Sequence, residues 1–372
     1  MKRVLILEPY YGGSHRLFLE GLQKTVAADY TLLILPARKW KVRMQLSAFW
    51  FIQEIEKMAV EKRSFDTVLC STFVDVAVLR SLLVSVAGWN CEARINTYFH
   101  ENQFVYPIQV QSIDVRQFTA INLNTAMASD SCAFNSHYNL ESFLGAIQVS
   151  LKRATDMKPL DCVAAIRKKC VVLYPGMDYS SIDNAERHGD KRDEKGSPPT
   201  LVWNHRWEHD KGPELFFESL HGLQKRGIAF RLIVLGQSFA KNPICFEEAE
   251  KEFSQEIVHF GYAETREEYA ALLHRGDVIV STARHEFFGI SILEGIRAGC
   301  YPLLPEDLSY PELYAKEFLY EPGQLGERLA EYFHRPVKLE KQVSYDLTDR
   351  FDWKQCRTHY EKWLFGYSLE KA

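Results

Sequence analysis

Much of what would place this chain quickly is missing from it. Its eight cysteines form no C-x-x-C pair, and Cys70, Cys132, Cys170 and Cys300 stand beside apolar runs, which favours reduced core thiols over a disulfide framework. No apolar stretch approaches the ~20 residues that span a bilayer. The apolar run behind Met1, Lys2 and Arg3 stops at Glu8, too early for a secretory signal, so the expected location is the cytoplasm. Charge of one sign is also lacking: 45 Lys and Arg face 49 Asp and Glu, and a net charge of −4 excludes a globally basic nucleic-acid binder while leaving local patches open. There is no G-x-G-x-x-G, so no nicotinamide or flavin fingerprint. His285-Glu286 is followed by Phe287-Phe288-Gly289 rather than a second zinc ligand, and His205 and His209 have no third ligand nearby, so no metal is expected. No internal repeat is visible.

What is present is alternation. Short apolar runs near residues 3–7, 31–35, 67–70, 94–98, 131–134 and 171–173 read as strands separated by amphipathic helices. A second series follows at 201–204, 230–235, 257–260, 278–281 and 301–304. That pattern predicts α/β architecture with two doubly wound, Rossmann-like domains, and 372 residues exceed the ~250–300 at which a single core stops growing. The expected divisions are a first domain over 1–178, a polar linker or exposed loop over 179–199, a second domain over 200–350, and a C-terminal helix over 351–372 packing back on the first domain. Strand ends are expected to face a cleft.

The most informative stretch is His285-Glu286-Phe287-Phe288-Gly289-Ile290-Ser291-Ile292-Leu293-Glu294. A strand, a glycine turn and a helix starting after Gly289 make an anion site, because the first helical N–H groups lack internal acceptors and the macrodipole is positive there. Glu286 before the turn and Glu294 about a turn beyond it suit hydroxylated groups on either side of a phosphate, the layout of a nucleotide diphosphate sugar. Arg206 and Lys211, five apart after the first strand of the second domain, offer a planar fork and a point charge for a diphosphate, or form a solvated surface pair. In the first domain, Gly12 and Gly13 let main-chain N–H groups approach a ligand, or make a tight turn with Ser14 as helix cap. His100, Glu101, Asn102 and Gln103 follow the fourth strand, either as ligand groups or as partners for buried backbone. Asn135, Ser136 and His137 form another strand end with a helix cap. Basic stretches occur at Arg38-Lys39-Trp40-Lys41-Val42-Arg43 and across Lys152, Arg153, Lys158, Arg167, Lys168 and Lys169. They are solvated faces, or docking surfaces if the acceptor is a polyanion.

Arg206, Lys211, Glu286 and Glu294 resemble the arginine–lysine pair and E-x7-E motif of GT-B glycosyltransferases of the family 4 type. Closer still, residues 8–15, 35–40, 98–103, 205–211 and 285–289 are similar to the tRNA-queuosine mannosyltransferase family, and the likeness spans nearly the whole chain. That resemblance implies a GT-B fold and retaining transfer of mannose from GDP-mannose to a cyclopentene hydroxyl of queuosine at the wobble position of tRNA-Asp. It implies no cofactor beyond that donor and no membrane partner. Carried over, Glu286 would bind donor-sugar hydroxyls, Glu294 the ribose, Arg206 with Lys211 the diphosphate, and Gly12, Gly13, Phe288, Gly289 and Ile290 the donor backbone contacts. His100 would orient the mannose, while Ser14, His15, Arg38, Lys39, Trp40, Arg43, Glu101, Asn102 and Gln103 would face the acceptor. The alternatives are a family 4 type transferase with a lipid or glycan acceptor, for which residues 47–57 are the one amphipathic candidate, and a non-catalytic RNA-binding module.

Overall fold

A computed structural model describes residues 1–105, 114–152, 161–187, 197–238 and 242–367. The chain divides into two compact units, Met1–Met177 with Trp353–Ala372 and Asp178–Asp352. The first unit is built on β1 (Arg3–Tyr11), β2 (Asp29–Pro36), β3 (Thr67–Ser71), β4 (Arg94–Phe99), β5 (Ser131–Phe134) and β6 (Cys170–Val172). They form one parallel sheet in the order β2-β1-β3-β4-β5-β6. All five residues of β3 are buried, the consequence of helices covering both faces of a parallel sheet. Asn96 and Thr97 are buried in β4: the Asn96 amide N–H donates to the Trp363 and Leu364 carbonyls, and Thr97 pairs with Ser129.

The C-terminal helix Trp353–Phe365 belongs to this first unit, where Trp353, Tyr360 and Trp363 pack with Val4, Ile6, Phe18 and Tyr98. The Trp353 indole lies so close to Gly21 and Gly176 that a Cβ would fall 1.9 Å and 2.1 Å from it. That contact explains a glycine inside the helix Gly13–Thr25, a position that otherwise weakens a helix.

The second unit carries β7 (Thr200–Asn204), β8 (Arg231–Leu235), β9 (Ile257–Gly261), β10 (Val278–Val280), β11 (Tyr301–Pro305) and β12 (Leu319–Tyr320). Its parallel sheet runs β12-β11-β10-β7-β8-β9. The sequence pattern anticipates eleven of the twelve strands and misses β12, whose two residues are too few to show a period.

The polar stretch expected to be linker or loop proves partly helical. Ser180–Arg187 is a helix of the second unit, with Tyr179 and Ile182 buried beside it. The stretch reads as solvated because Asp183 is used inside the fold: Arg297 donates to it from Nε at 2.7 Å and from Nη2 at 2.8 Å. The rest of that stretch, residues 188–196, lies outside the described residues, as do Arg153 and Lys158. The Arg297 side chain is only 6% exposed; it also meets Asp349 at 2.5 Å and Thr348 at 3.1 Å, and lies 3.6 Å from the Tyr345 ring centre. Replacing Arg297 by Ala should cost the fold about 2–4 kcal/mol, since it strands partly buried carboxylates, whereas Arg297→Lys should restore only part because an ammonium cannot fork onto Asp183. Urea unfolding followed by far-UV circular dichroism measures both.

Candidate active site

In each sheet the crossovers change direction between two neighbouring strands, β1 and β3 in the first unit and β7 and β10 in the second. Ligands of open parallel sheets bind beyond the carboxyl ends of strands at such a point, and both polar clusters sit there.

In the second unit, the loop after β7 delivers Lys211 and the loop after β10 delivers Glu286. Lys211 Nζ lies 3.2 Å from Glu286 Oε2 and donates to the His285 carbonyl at 2.8 Å, with Asp210 at 3.4 Å. The lysine is held from behind. Its own carbonyl accepts from Thr282 Oγ1 at 2.9 Å, and Gly212, at φ +62°, runs so close that a Cβ would stand 2.2 Å from the Thr282 carbonyl oxygen. Burial alone would lower the Lys211 ammonium, but Glu286 and Asp210 raise it above its ordinary value. Burial likewise would raise the Glu286 carboxyl, and Lys211 together with the Phe288 N–H brings it down to about 2. His205 is pushed down to about 3 by burial and by the neighbouring Lys211, so it is neutral. Its Nε2 is buried without a hydrogen-bond partner among the described residues.

The turn between Glu286 and the helix Ile290–Arg297 has the glycine and the open helix start that its sequence suggests. Gly289 takes φ +91°, the Glu286 carboxylate accepts from the Phe287 and Phe288 N–H groups, and the helix opens at Ile290. The N–H groups of Gly289, Ile290 and Ser291 have no acceptor among the described residues. Under the turn lies Tyr310, 3.2 Å from where a Gly289 Cβ would be and hydrogen-bonded to Ser281 at 2.7 Å. Glu294, 6% exposed, is gripped at both oxygens, by Arg266 Nη2 at 2.8 Å and by the Tyr269 hydroxyl at 2.6 Å. Asn204 at the end of β7 donates to that same tyrosine. The Arg206 side chain is 47% exposed and lies 3.0 Å from Glu208.

In the first unit, the ends of β1, β3 and β4 and the helix Gly13–Thr25 bring together Glu8, Ser71, Thr72, His100, Glu101 and His15. His15 sits between two carboxylates, Nδ1 at 3.0 Å from Glu8 and Nε2 at 3.3 Å from Glu101. Ser71 and the Tyr10 N–H donate to Glu8, and Thr72 donates to Glu101 at 2.6 Å. The His15 ring stacks on His100 at 4.0 Å and on Phe73 at 5.4 Å. Burial would lower the His15 imidazole, but Glu8 and Glu101 raise it to about 10. His100 goes the other way, well below its ordinary value, through burial and the His15 charge.

Several residues named from sequence stand elsewhere. Asn102 is fully buried; its amide is used on Asn139 and Ser142, and its carbonyl oxygen accepts from the Phe104 and Val105 N–H groups, which makes it scaffold rather than acceptor contact. Gln103 is also enclosed. His15 has both ring nitrogens engaged. Ser14 is exposed within the first helical turn and does not cap it, because the helix already begins at Gly13. Gly12 is extended, and its missing Cβ makes room for Ala37, 2.5 Å from where it would stand, while Gly13 is open at φ +51°. Trp40 packs on Phe118 and Phe73, so its faces are not open for a base. Arg38 and Lys39 are exposed, and Arg43 is half-buried. Of the second basic stretch, Arg167 is paired with Glu141, and Lys169 donates to the Met127 and Ser129 carbonyls. Ser136 does cap its helix, accepting from the Asn139 N–H. Sequence reasoning passed over Glu8, Thr72, Asn204, His205, Arg266, Tyr269 and Tyr310. Glu8, Asn204 and His205 were legible as polar residues at strand ends; the others were not, because only the fold brings them to the cluster. No group of His, Cys, Asp and Glu among the described residues is arranged to hold a metal ion, and no described helix is long and apolar enough to cross a membrane.

Residues 3–177 match the family described as tRNA-queuosine alpha-mannosyltransferase N-terminal, and residues 184–345 match Glycosyl transferases group 1. The tRNA-queuosine alpha-mannosyltransferase of Drosophila melanogaster is 35% identical over 349 residues, covering 91% of this chain and 89% of that protein. A GDP-mannose:cellobiosyl-diphosphopolyprenol alpha-mannosyltransferase of Xanthomonas oryzae is 24% identical over 171 residues, 43% of this chain and 45% of that protein. Among solved structures, Anabaena HepE in complex with UDP superposes with a TM-score of 0.67 at 14% identity, over 97% of this chain and 99% of that one. Sucrose-phosphate synthase from Thermosynechococcus elongatus gives 0.68 at 12% identity, over 99% and 100%. The two parallel sheets and these neighbours establish the GT-B fold, and the sequence matches establish the rest: the chain is a glycosyltransferase and belongs to the tRNA-queuosine alpha-mannosyltransferase family.

Proposed function

We propose that this chain transfers mannose, with retention, from GDP-mannose to a cyclopentene hydroxyl of queuosine at the wobble position of tRNA-Asp, in the cytoplasm. The observation that carries the reading is the second unit's open helix N-terminus, with the Lys211–Glu286 ion pair on one side and the clamped Glu294 on the other. The full-length relative supports the acceptor, and the name of the Xanthomonas relative supports the donor nucleotide.

The donor diphosphate lies on the Gly289, Ile290 and Ser291 N–H groups, where orphan donors and the helix dipole favour negative charge. Lys211 and Arg206 neutralise the diphosphate as it leaves, Arg206 by swinging from its exposed position. Glu286, kept ionised by Lys211, accepts from hydroxyls of the sugar, and Glu294 accepts from the ribose diol. His100 is assigned to a hydroxyl of the transferred sugar and Glu101 to the acceptor. Exposed Arg38 and Lys39 meet RNA phosphates. Double displacement needs a nucleophilic carboxylate ~5 Å from the acid. Glu286, tied to Lys211 and two main-chain N–H groups, serves better as a fixed acceptor. The reaction then proceeds on one face of the sugar, and the departing diphosphate oxygen takes the acceptor proton. No metal ion enters this scheme.

Incubating the purified chain with GDP-mannose and tRNA from queuosine-containing and queuosine-lacking cells should add one hexose mass to the nucleoside in the first sample alone, with EDTA without effect. A hexose in both samples, or in neither, overturns the reading. Lys211→Ala and Arg206→Ala should each lower kcat/KM about 10²- to 10³-fold, as expected when a donor to developing charge is removed. Glu286 is held at about 2, so the pair is lost on the acid side only as pH falls towards that value. Lys211 is raised above 10.5, so on the alkaline side the pair is lost only above that pH. The pH profile of kcat/KM should therefore show no limb from this pair between pH 5 and 9.

A further inference from the structure

The first unit holds a buried charge arrangement in which Glu8 and His15 have no part in the transfer described above. Glu8, His15 and Glu101 are stacked side chain to side chain, 2% exposed for Glu8 and 6% for His15, with both imidazole nitrogens given to carboxylates. Directly against that imidazole, at 4.0 Å and 29° between planes, lies His100. His100 is 8% exposed, and its ring nitrogens have no hydrogen-bond partner among the described residues. The remainder of its surroundings is aromatic: Phe18 meets it edge-on at 5.0 Å and Tyr98 at 4.7 Å. The His100 nitrogens are not sealed in the core, so a ring edge without a protein partner is left for a ligand hydroxyl.

We propose that His15 is a positioning residue, a cationic plate pinned between Glu8 and Glu101 whose stacked face keeps His100 uncharged, so that the His100 ring can both donate to and accept from a sugar hydroxyl. The proposal deepens the reading of His100 given above and rests on it. An imidazolium offers two donors and no acceptor, whereas a neutral ring offers one of each, and a hydroxyl matches the neutral ring better. Two like charges 4.0 Å apart are disfavoured, so one ring takes the proton. The carboxylates decide which: both nitrogens of His15 face one, and neither nitrogen of His100 does. The other titratable groups around the pair are Tyr10 on β1, Cys70 on β3 and Tyr98 on β4. Cys70 is raised by burial and Tyr98 likewise, so neither carries charge near neutrality. Thr72 and Ser71 hold the two carboxylates in place.

The arrangement gives His15 a signature that packing alone would not. With His15→Gln, Glu8 and Glu101 are left uncompensated beside His100, which should then titrate near neutrality; kcat/KM at pH 6.0 should fall about tenfold below the same variant's value at pH 8.5, as for a group of pKa about 7. His15→Lys keeps the cation and should show a flat profile over that range, as the wild type does. A uniform loss at both pH values in His15→Gln, or an acid limb in the wild type, overturns the proposal. If the variants do not fold, two-bond 1H–15N imidazole spectra of the wild type decide it. His15 should be protonated at both nitrogens from pH 6 to 8.5 and His100 at one; a doubly protonated His100 at pH 7 overturns it. These spectra need no acceptor, so they separate failure of this arrangement from failure of the queuosine reading, which shows as absent transfer by a wild type with the expected spectra.

Discussion

A charge can be taken out of water only beside its counter-charge, and the polar architecture of this chain depends on that constraint. Three buried cations obey it. Lys211 lies against Glu286, His15 between Glu8 and Glu101, and Arg297 between Asp183 and Asp349. The first two are in the polar clusters at the ends of the parallel strands. The third anchors the helix Ile290–Arg297, whose opposite end opens at the Gly289 turn. Exposed ion pairs such as Arg206 with Glu208 are under no such demand.

Pairing also sets the chemistry. A carboxylate meant to accept from hydroxyls must stay ionised although it is buried, and burial by itself pushes in the opposite direction. Lys211 reverses that push for Glu286, while Arg266 and the Tyr269 hydroxyl engage both oxygens of Glu294. Both carboxylates are thereby fixed in direction. A residue so constrained is a poor nucleophile and a good template, which agrees with a transferase that works by holding its substrates and stabilising a leaving group.

How far the residues alone could lead differs between the two clusters. In the second unit the acidic motif, the glycine and the helix start are neighbours in sequence, so Glu286, Gly289, Ile290 and Glu294 were legible together, and Lys211 was one strand-to-helix loop away. In the first unit the cluster is assembled from four separate segments. Composition showed His100 and Glu101 at a strand end, but Asn102 and Gln103 beside them turned inward. A side chain's direction after a strand is decided by the packing of the next helix, here through Asn139 and Asn122. The same is true of Trp40, whose neighbours Phe73 and Phe118 lie 33 and 78 residues away in the chain.

The sequence by itself determined the architecture: alternating apolar runs of strand length and amphipathic helices admit little other than two parallel sheets, because that periodicity is local and directly tied to burial. The contiguous stretch from Glu286 to Glu294 also carried its glycine turn and helix start in sequence order. Only the tertiary structure decided which histidine is charged, which arginine is buried, and that the polar stretch after residue 178 is helical. Those outcomes depend on counter-charges supplied from distant segments: Glu8 and Glu101 for His15, Asp183 and Asp349 for Arg297. Electrostatic energy falls with distance in space and carries no trace in sequence order.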